Sequence, residues 1–247
     1  MKYSSNDREI KVWRLDFAHI ICRDSILSLG GNADSSTLIG CFGYLIQKCG
    51  EYILVDCGIE DLDTVNRTKS SKDDWARNAI EGDLLWNLKR LGVLPEQISE
   101  VFLTHSHYDH LSGIVHLKKA TIYMAEKEYE YLHKEENPHK KYLTEAISFL
   151  EKKKADEKLV LIEEVYAEDD IRCRVIGGHT PGSMLIYIGK YLFTGDVVFL
   201  LENIPGEIPI GFSQEPEKAK EAVRICKEHK GTIFTGHDLR CLTISAS

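Results

Sequence analysis

The sequence predicts an α/β fold in which two β-sheets pack face to face and helices cover both outer surfaces. Three observations lead there. Segments of strand character fall into two groups, one in each half of the chain, with helical segments between and after them. Two glycine-bearing turns, at Gly50 and at Gly189-Lys190, join neighbouring strands into hairpins. Turns rich in His, Asp and Gly follow strand after strand, so their side chains can gather at one rim of the paired sheets, where α/β proteins commonly place chemistry.

In chain order, Phe42–Ile46 and Tyr52–Val55 read as the first hairpin, ended by Asp56-Cys57-Gly58, and a polar loop follows over Ile59–Lys72. A helix is expected over Asp73–Leu91, where Leu84, Leu88 and Leu91 share one apolar face and Gly92 can close the end. Next come a strand over 100–104, a strand over Thr121–Met124, a helix over Glu126–His133 and a helix over Tyr142–Lys154. The lysine run Lys152–Lys154 reads as a solvated face. Strands return at Leu159–Ile162, Ile171–Ile176, Met184–Ile188 and Tyr191–Thr194. A helix from Pro216, a residue suited to a first helical position, to His229 leads into a last strand, Thr232–Thr235.

The chain has 247 residues, 43% of them hydrophobic, and carries no internal repeat, low-complexity tract or evident linker. That length suits one large domain or two small ones and buries a core without disulfides. A net charge of −8 disfavours a nucleic-acid groove, which relies on clustered Lys and Arg. Met1–Arg14 lacks the apolar stretch of a secretory signal, and no segment approaches the ~18 apolar residues of a membrane span. Seven cysteines, with no C-x-x-C pair, read as small buried residues in a reducing compartment; Cys57 and Cys241 stand near candidate site turns. The expected location is the cytoplasm, without nucleic-acid or membrane partners.

The chemistry concentrates in Thr104-His105-Ser106-His107-Tyr108-Asp109-His110-Leu111-Ser112-Gly113. Imidazoles and a carboxylate are donors that Zn²⁺ and related divalent ions prefer, and four of them lie within six positions directly after a strand. More donors recur in glycine-bearing turns: His179 in Gly177–Gly182, Asp196 in Thr194-Gly195-Asp196, and His237 in Thr235–Asp238. Glycine permits tight or left-handed turns that aim a side chain at a shared point. Together these residues predict a metal site.

The set His105-x-His107-x-Asp109-His110, then His179, Asp196 and His237, with Asp56 at an early strand end, resembles the metallo-β-lactamase superfamily over about residues 40 to 240. The resemblance implies a four-layer αββα sandwich, a single domain spanning 1–247, and two divalent ions, zinc first, with Fe, Mn or Co also accepted. It implies that His105, His107 and His179 hold one ion and Asp109, His110 and His237 the other, with Asp196 bridging. Asp56 is expected behind the ligands, orienting one of them, or as a plain strand-end turn residue. Relatives that perform redox work carry Glu where this chain has His107, which favours hydrolysis. The implied mechanism is a hydroxide shared by the two ions attacking a lactone or other ester carbonyl, with Asp109 moving the proton to the leaving group.

Within the superfamily the closest likeness is to N-acyl-homoserine-lactone lactonases. It rests on the short chain ending ten residues after His237, the Gly236-His237-Asp238 turn, and the polar segment Ile59–Lys72. The partner implied is a small-molecule ester or lactone. Those lactonases usually carry a substrate-bonding tyrosine three residues after the bridging aspartate, where this chain has Phe199; Tyr108 or Tyr191 could supply a hydroxyl instead. A glyoxalase-II-like thioesterase is the alternative, set back by the lack of a basic C-terminal region. A phosphodiesterase and a metal-binding protein without turnover stand further off, and Asp196 argues against β-lactamase activity. Trp13, Phe17, Phe42, Phe199, Leu200, Ile204 and Ile210 are candidates for pocket wall or core. The segment Leu201–Phe212 is a candidate site cover or homodimer contact.

Overall fold

The computed structural model describes residues 10–67 and 82–241, and the expected layers are present. The first sheet has six strands in sequential order: β1 (Ile10–Arg23), β2 (Ser36–Lys48), β3 (Glu51–Val55), β4 (Ile98–Phe102), β5 (Thr121–Ala125) and β6 (Leu159–Ile162). β1, β2 and β3 are antiparallel, whereas β3 to β6 run parallel. The second sheet contains β7 (Val165–Glu168), β8 (Ile171–Val175), β9 (Met184–Ile188), β10 (Tyr191–Phe193) and β11 (Thr232–Phe234), in the order β11-β10-β9-β8-β7. Its strands are antiparallel except for the β10–β11 pair.

Alternation along the strands builds the layers, because successive side chains leave opposite faces. Phe42, Tyr44 and Ile46 of β2, Ile53 and Val55 of β3, and Phe102 of β4 meet Met184, Ile186 and Ile188 of β9, and Phe193 and Phe234, between the sheets. The other face of the first sheet, with Leu45, Leu54, Val101 and Ile122, packs under α3 (Leu84–Arg90), α4 (Tyr108–Leu111), α5 (Glu126–His133) and α6 (Thr144–Ala155). Leu185 and Leu192 leave the outer face of the second sheet to meet Ala222, Val223 and Cys226 of α7 (Pro216–Glu228). Two short helices, α1 (Asp24–Leu27) and α2 (Leu62–Arg67), complete the set.

Several expectations need correction. β1 and the first half of β2 were not expected. β1 pairs with β2 along nearly its whole length, but a bulge between Asp16 and Ala18 shifts the alternation and hides its period. β7 was missed as well: Val165, Ala167 and Glu168 are exposed, so it carries little apolar signal. The Ile59–Lys72 loop contains α2. The helix expected from Asp73 begins at Leu84 in the described residues, with Asp83 accepting a hydrogen bond from the Trp86 N–H at 2.8 Å; residues 73 to 81 lie outside the description. Gly92 closes that helix with φ +71°, as expected. Lys153 is not solvated: it is buried, and its ammonium donates to the carbonyls of Lys118, at 2.8 Å, and Ala120, while Lys152 and Lys154 remain exposed. No helix among the described residues is long and apolar enough to cross a membrane.

Candidate metal centre

His105, His107, Asp109, His110, His179, Asp196 and His237 converge at one rim of the sandwich, each at most 7% exposed. The local chain explains the convergence. After β4 the chain bends at Thr104, and His107 is extended just before the next helix, so His105 and His107 ride in one short loop. At Tyr108 it turns into α4, which carries Asp109 and His110 on the first helical turn. His179 sits in the loop between β8 and β9. Asp196 follows β10 in a 3₁₀ turn, and His237 follows β11.

Asp196 lies at the middle. Its Oδ2 faces His105 Nε2 at 3.5 Å and His179 Nε2 at 3.3 Å, while its Oδ1 faces His110 Nε2 at 3.1 Å and His237 Nε2 at 2.9 Å. His107 presents Nδ1 to His179 Nε2 at 3.0 Å. Donor atoms of His105, His107, His179 and Asp196 lie within 4.8 Å of one another, as do those of His110, Asp196 and His237. Asp109 Oδ2 stands 3.6 Å from His110 Nε2 and 3.8 Å from His237 Nε2.

Three of the imidazoles are held from behind by a carboxylate or a carbonyl. Asp56, with φ +59°, a left-handed conformation that aspartate tolerates, aims its carboxylate under the site. It accepts from the Thr104 N–H at 2.8 Å and hydroxyl at 2.7 Å, and pairs with His110 Nδ1 at 2.8 Å. The carbonyl of Phe212 accepts from His179 Nδ1 at 3.0 Å, and that of Gly40 from His237 Nδ1 at 2.5 Å. These bonds turn the opposite nitrogens inward, toward Asp196. Gly195 and Gly236 are demanded by close approach. A Cβ at Gly195, whose φ is +51°, would meet Thr104 Oγ1 at 2.4 Å; one at Gly236 would meet Asp196 Oδ1 at 2.9 Å.

The electrostatics divide the cluster. Burial holds the His105 and His107 imidazoles well below their ordinary range, so both are neutral donors. Burial is the largest single influence on His110 and His237 too and opposes their charge, but Asp196 together with Asp109 and Asp56 at His110, and with Cys41 at His237, holds them well above that range. The site therefore calls for positive charge beside Asp196, whose own carboxyl is held well below the usual range by His237, His110 and His105 against the effect of burial. His105 Nε2, His110 Nε2 and Asp196 Oδ1 are buried yet make no hydrogen bond among the described residues. Buried polar atoms seldom go unpartnered. An imidazole and carboxylate set with inward orphan atoms fits divalent cations.

Glu128, Cys41 and His139 were not legible in the sequence, and Phe212 was named only as the end of a candidate cover. Glu128 on α5 is 1% exposed; its Oε1 accepts from the Ser106 N–H and hydroxyl, at 2.9 and 2.7 Å, and its Oε2 from the Thr180 hydroxyl and the Gly182 N–H, at 2.7 and 3.0 Å. It thus ties the loop of His105 and His107 to the loop of His179. Its only mark in the sequence is a glutamate on the apolar side of a helix. Cys41 places Sγ 3.6 Å from Asp109 Oδ2. His139 stacks on His107, with ring centroids 3.8 Å apart, and Phe212 lies across His179 at 5.5 Å.

Of the candidate wall residues, Phe199 reaches the site, with its ring 5.6 Å from His179 and 5.0 Å from His237. Phe42 lies between the sheets, Phe17 under the helices, and Leu200, Ile204 and Ile210 in outer clusters. Tyr191 is also buried between the sheets, which removes it as a source of a site hydroxyl. Tyr108 stacks on His139 at 5.3 Å. The Leu201–Phe212 segment brings its last residue to the site through the Phe212 carbonyl and ring.

Comparison with known proteins agrees. Residues 37–237 match the Metallo-beta-lactamase superfamily. An N-acyl homoserine lactonase of Bacillus thuringiensis is 30% identical over 215 residues, covering 79% of this chain and 80% of the relative. A solved N-acyl homoserine lactone hydrolase, described with the product N-hexanoyl-L-homoserine bound at its catalytic metal center, superposes with a TM-score of 0.76 at 23% identity, covering 93% of each chain. A probable metal-dependent hydrolase from Staphylococcus aureus gives a TM-score of 0.78 at 16% identity, covering 96% of this chain and 92% of that one. The chain belongs to the metallo-β-lactamase superfamily and is a metal-dependent hydrolase.

Proposed function

We propose that this chain is a two-cation hydrolase that opens a lactone or a closely related small ester. In this reading His105, His107 and His179 hold one cation, Asp109, His110 and His237 the other, and Asp196 is shared. The observation that carries it is the placement of Asp196, whose two oxygens each face a different pair of imidazoles at 2.9 to 3.5 Å. Zinc suits the imidazole-rich set best, and Fe, Mn or Co share its ligand chemistry. The lactonase relatives point to the substrate class. The whole chain is read as one domain, acting in the cytoplasm, where its seven free thiols stay reduced.

With cations bound, the centre would polarise the substrate carbonyl and bring the acidity of a water toward neutral pH. The chain's own residues supply the rest. Asp56 and the carbonyls of Gly40 and Phe212 hold His110, His237 and His179 in the tautomers that face inward. Asp109 takes up the proton of the attacking water at its carboxylate and returns it to the departing ring oxygen. Phe199 and Phe212 set apolar rings against His179 and lower the polarity around that imidazole. Phe199 offers the substrate no hydrogen bond.

The test is a side-by-side assay of purified, metal-analysed protein on an N-acyl lactone, a glutathione thioester and a phosphodiester. Two divalent ions per chain and preference for the lactone are expected. Preference for the thioester, or full activity in metal-depleted protein, would overturn the reading.

A further inference from the structure

We propose that Cys41 is a sulfur donor at the second cation position, beside Asp109 and His237. The inference rests on the two-cation reading above and adds a ligand to it. Cys41 lies near the middle of β2, which the turn after β11 clasps: Gly40 N–H donates to the His237 carbonyl at 3.0 Å, Phe42 N–H donates to the Gly236 carbonyl at 3.1 Å, and the Gly40 carbonyl holds His237 Nδ1. The backbone on both sides of Cys41 is thereby fixed to the loop that carries His237. The thiol is fully buried, with Sγ 3.6 Å from Asp109 Oδ2. Its sulfur and the donor atoms of Asp109 and His237 lie within 4.8 Å of one another.

A second observation points to a ligand at the same place. His110 Nε2 is fully buried, makes no hydrogen bond among the described residues, and lies 3.6 Å from that same Asp109 oxygen. Cys57, Cys173 and Cys226 are equally buried, yet among the described residues only Cys41 joins a group of donors able to converge on a cation. Burial alone therefore does not account for its position. A thiolate is a soft ligand and biases a site toward Zn²⁺ and Cd²⁺ over Mn²⁺ and Mg²⁺. Coordination breaks the S–H bond and releases one proton to solvent.

Cobalt is the probe. Titrated into the metal-depleted full chain, the second equivalent of Co²⁺ is expected to produce a near-ultraviolet thiolate-to-cobalt charge-transfer band in addition to visible ligand-field bands. In Cys41→Ser the charge-transfer band disappears, the ligand-field bands of the first equivalent remain, and affinity for the second equivalent falls about 10–100-fold, with a larger loss for Cd²⁺. Retention of the first equivalent, together with a native circular dichroism spectrum, reports an intact fold, and Cys41→Ala serves if the serine variant does not fold. Two bound equivalents with no sulfur band would reduce Cys41 to a hydrogen-bond donor to Asp109 and overturn the proposal alone, as would a band that persists in Cys41→Ser. Failure of the unmodified protein to bind any cobalt or zinc would instead remove the two-cation reading and this inference with it.

Discussion

The two sides of the centre are built differently. His105, His107 and His179 come from two loops joined by one buried carboxylate, Glu128, and burial keeps His105 and His107 neutral. His110 and His237 are instead held by a carboxylate and a carbonyl directly on their rings, and Asp196 draws protons onto both. The first side is organised chiefly through the backbone of its loops, with the Phe212 carbonyl also holding the His179 ring, and the second through the imidazoles themselves. Damage to the first should spread to the fold, whereas damage to the second should stay within the chemistry.

The largest effect is expected on the second side. Asp109→Asn removes the proposed proton carrier and one charge, and kcat/KM on a lactone should fall about 10²–10⁴-fold with thermal stability little changed. Steady-state kinetics beside a melting curve check this. Next comes Glu128→Ala. The N–H groups of Ser106 and Gly182 would lose their buried acceptor, costing roughly 2–4 kcal/mol in urea unfolding, and retention of the cation at His105, His107 and His179 should weaken more than that at the other position. Asp56→Ala should show the reverse pattern: a ~10–100-fold loss of affinity at the second position with the first retained. Equal loss at both positions in both variants would erase the comparison.

The protonation difference gives a further way to separate the sides. In metal-free protein His110 and His237 carry protons above the ordinary imidazole value of 6.5, because Asp196 and its neighbouring acceptors together overcome burial. A cation entering there displaces those protons, so its affinity should climb as pH rises above 6.5. His105 and His107, held well below that value by burial, have no proton to lose, and affinity on their side should climb less steeply over the same range. Cation titrations at a series of pH values read both slopes.

The same contrast marks how far the sequence could be read. His105, His107, Asp109 and His110 were legible because they are adjacent in the chain and follow a strand, and His179, Asp196 and His237 because each rides in a glycine-bearing turn. Asp56 was legible as a strand-end carboxylate, and its bonds to Thr104 and His110 match the orienting role expected of it. Glu128 and Cys41 were not. Each reaches the centre across tens of residues by tertiary packing, and a glutamate's place on the apolar side of α5 is only a faint local mark of it. Lys153 failed for the same reason: one lysine of a run of three turns inward to two carbonyls. In the fold, the layered pattern was visible through the alternation of β2, β3 and β9, while β1 was concealed by the bulge that reverses its inward face.

The smallest effect expected is also the sharpest on substrate. Phe199 packs against one imidazole from each side of the centre, His179 and His237, and is 4% exposed, with Leu27, Ile39 and Ile210 around it. Phe199→Tyr adds one hydroxyl at the ring edge. If that edge borders the substrate, the hydroxyl donates to the lactone and kcat/KM rises about three- to tenfold, the scale of one hydrogen bond, with no gain for a substrate lacking that acceptor. If the edge points into the apolar cluster, the hydroxyl is buried without a partner, stability falls by about 1–3 kcal/mol, and kcat/KM does not rise. Measuring both quantities on one variant thus decides whether Phe199 is a wall of the substrate site or a brace behind its histidines, and only the first outcome lets the aromatic residue that spans the two sides also choose what they act on.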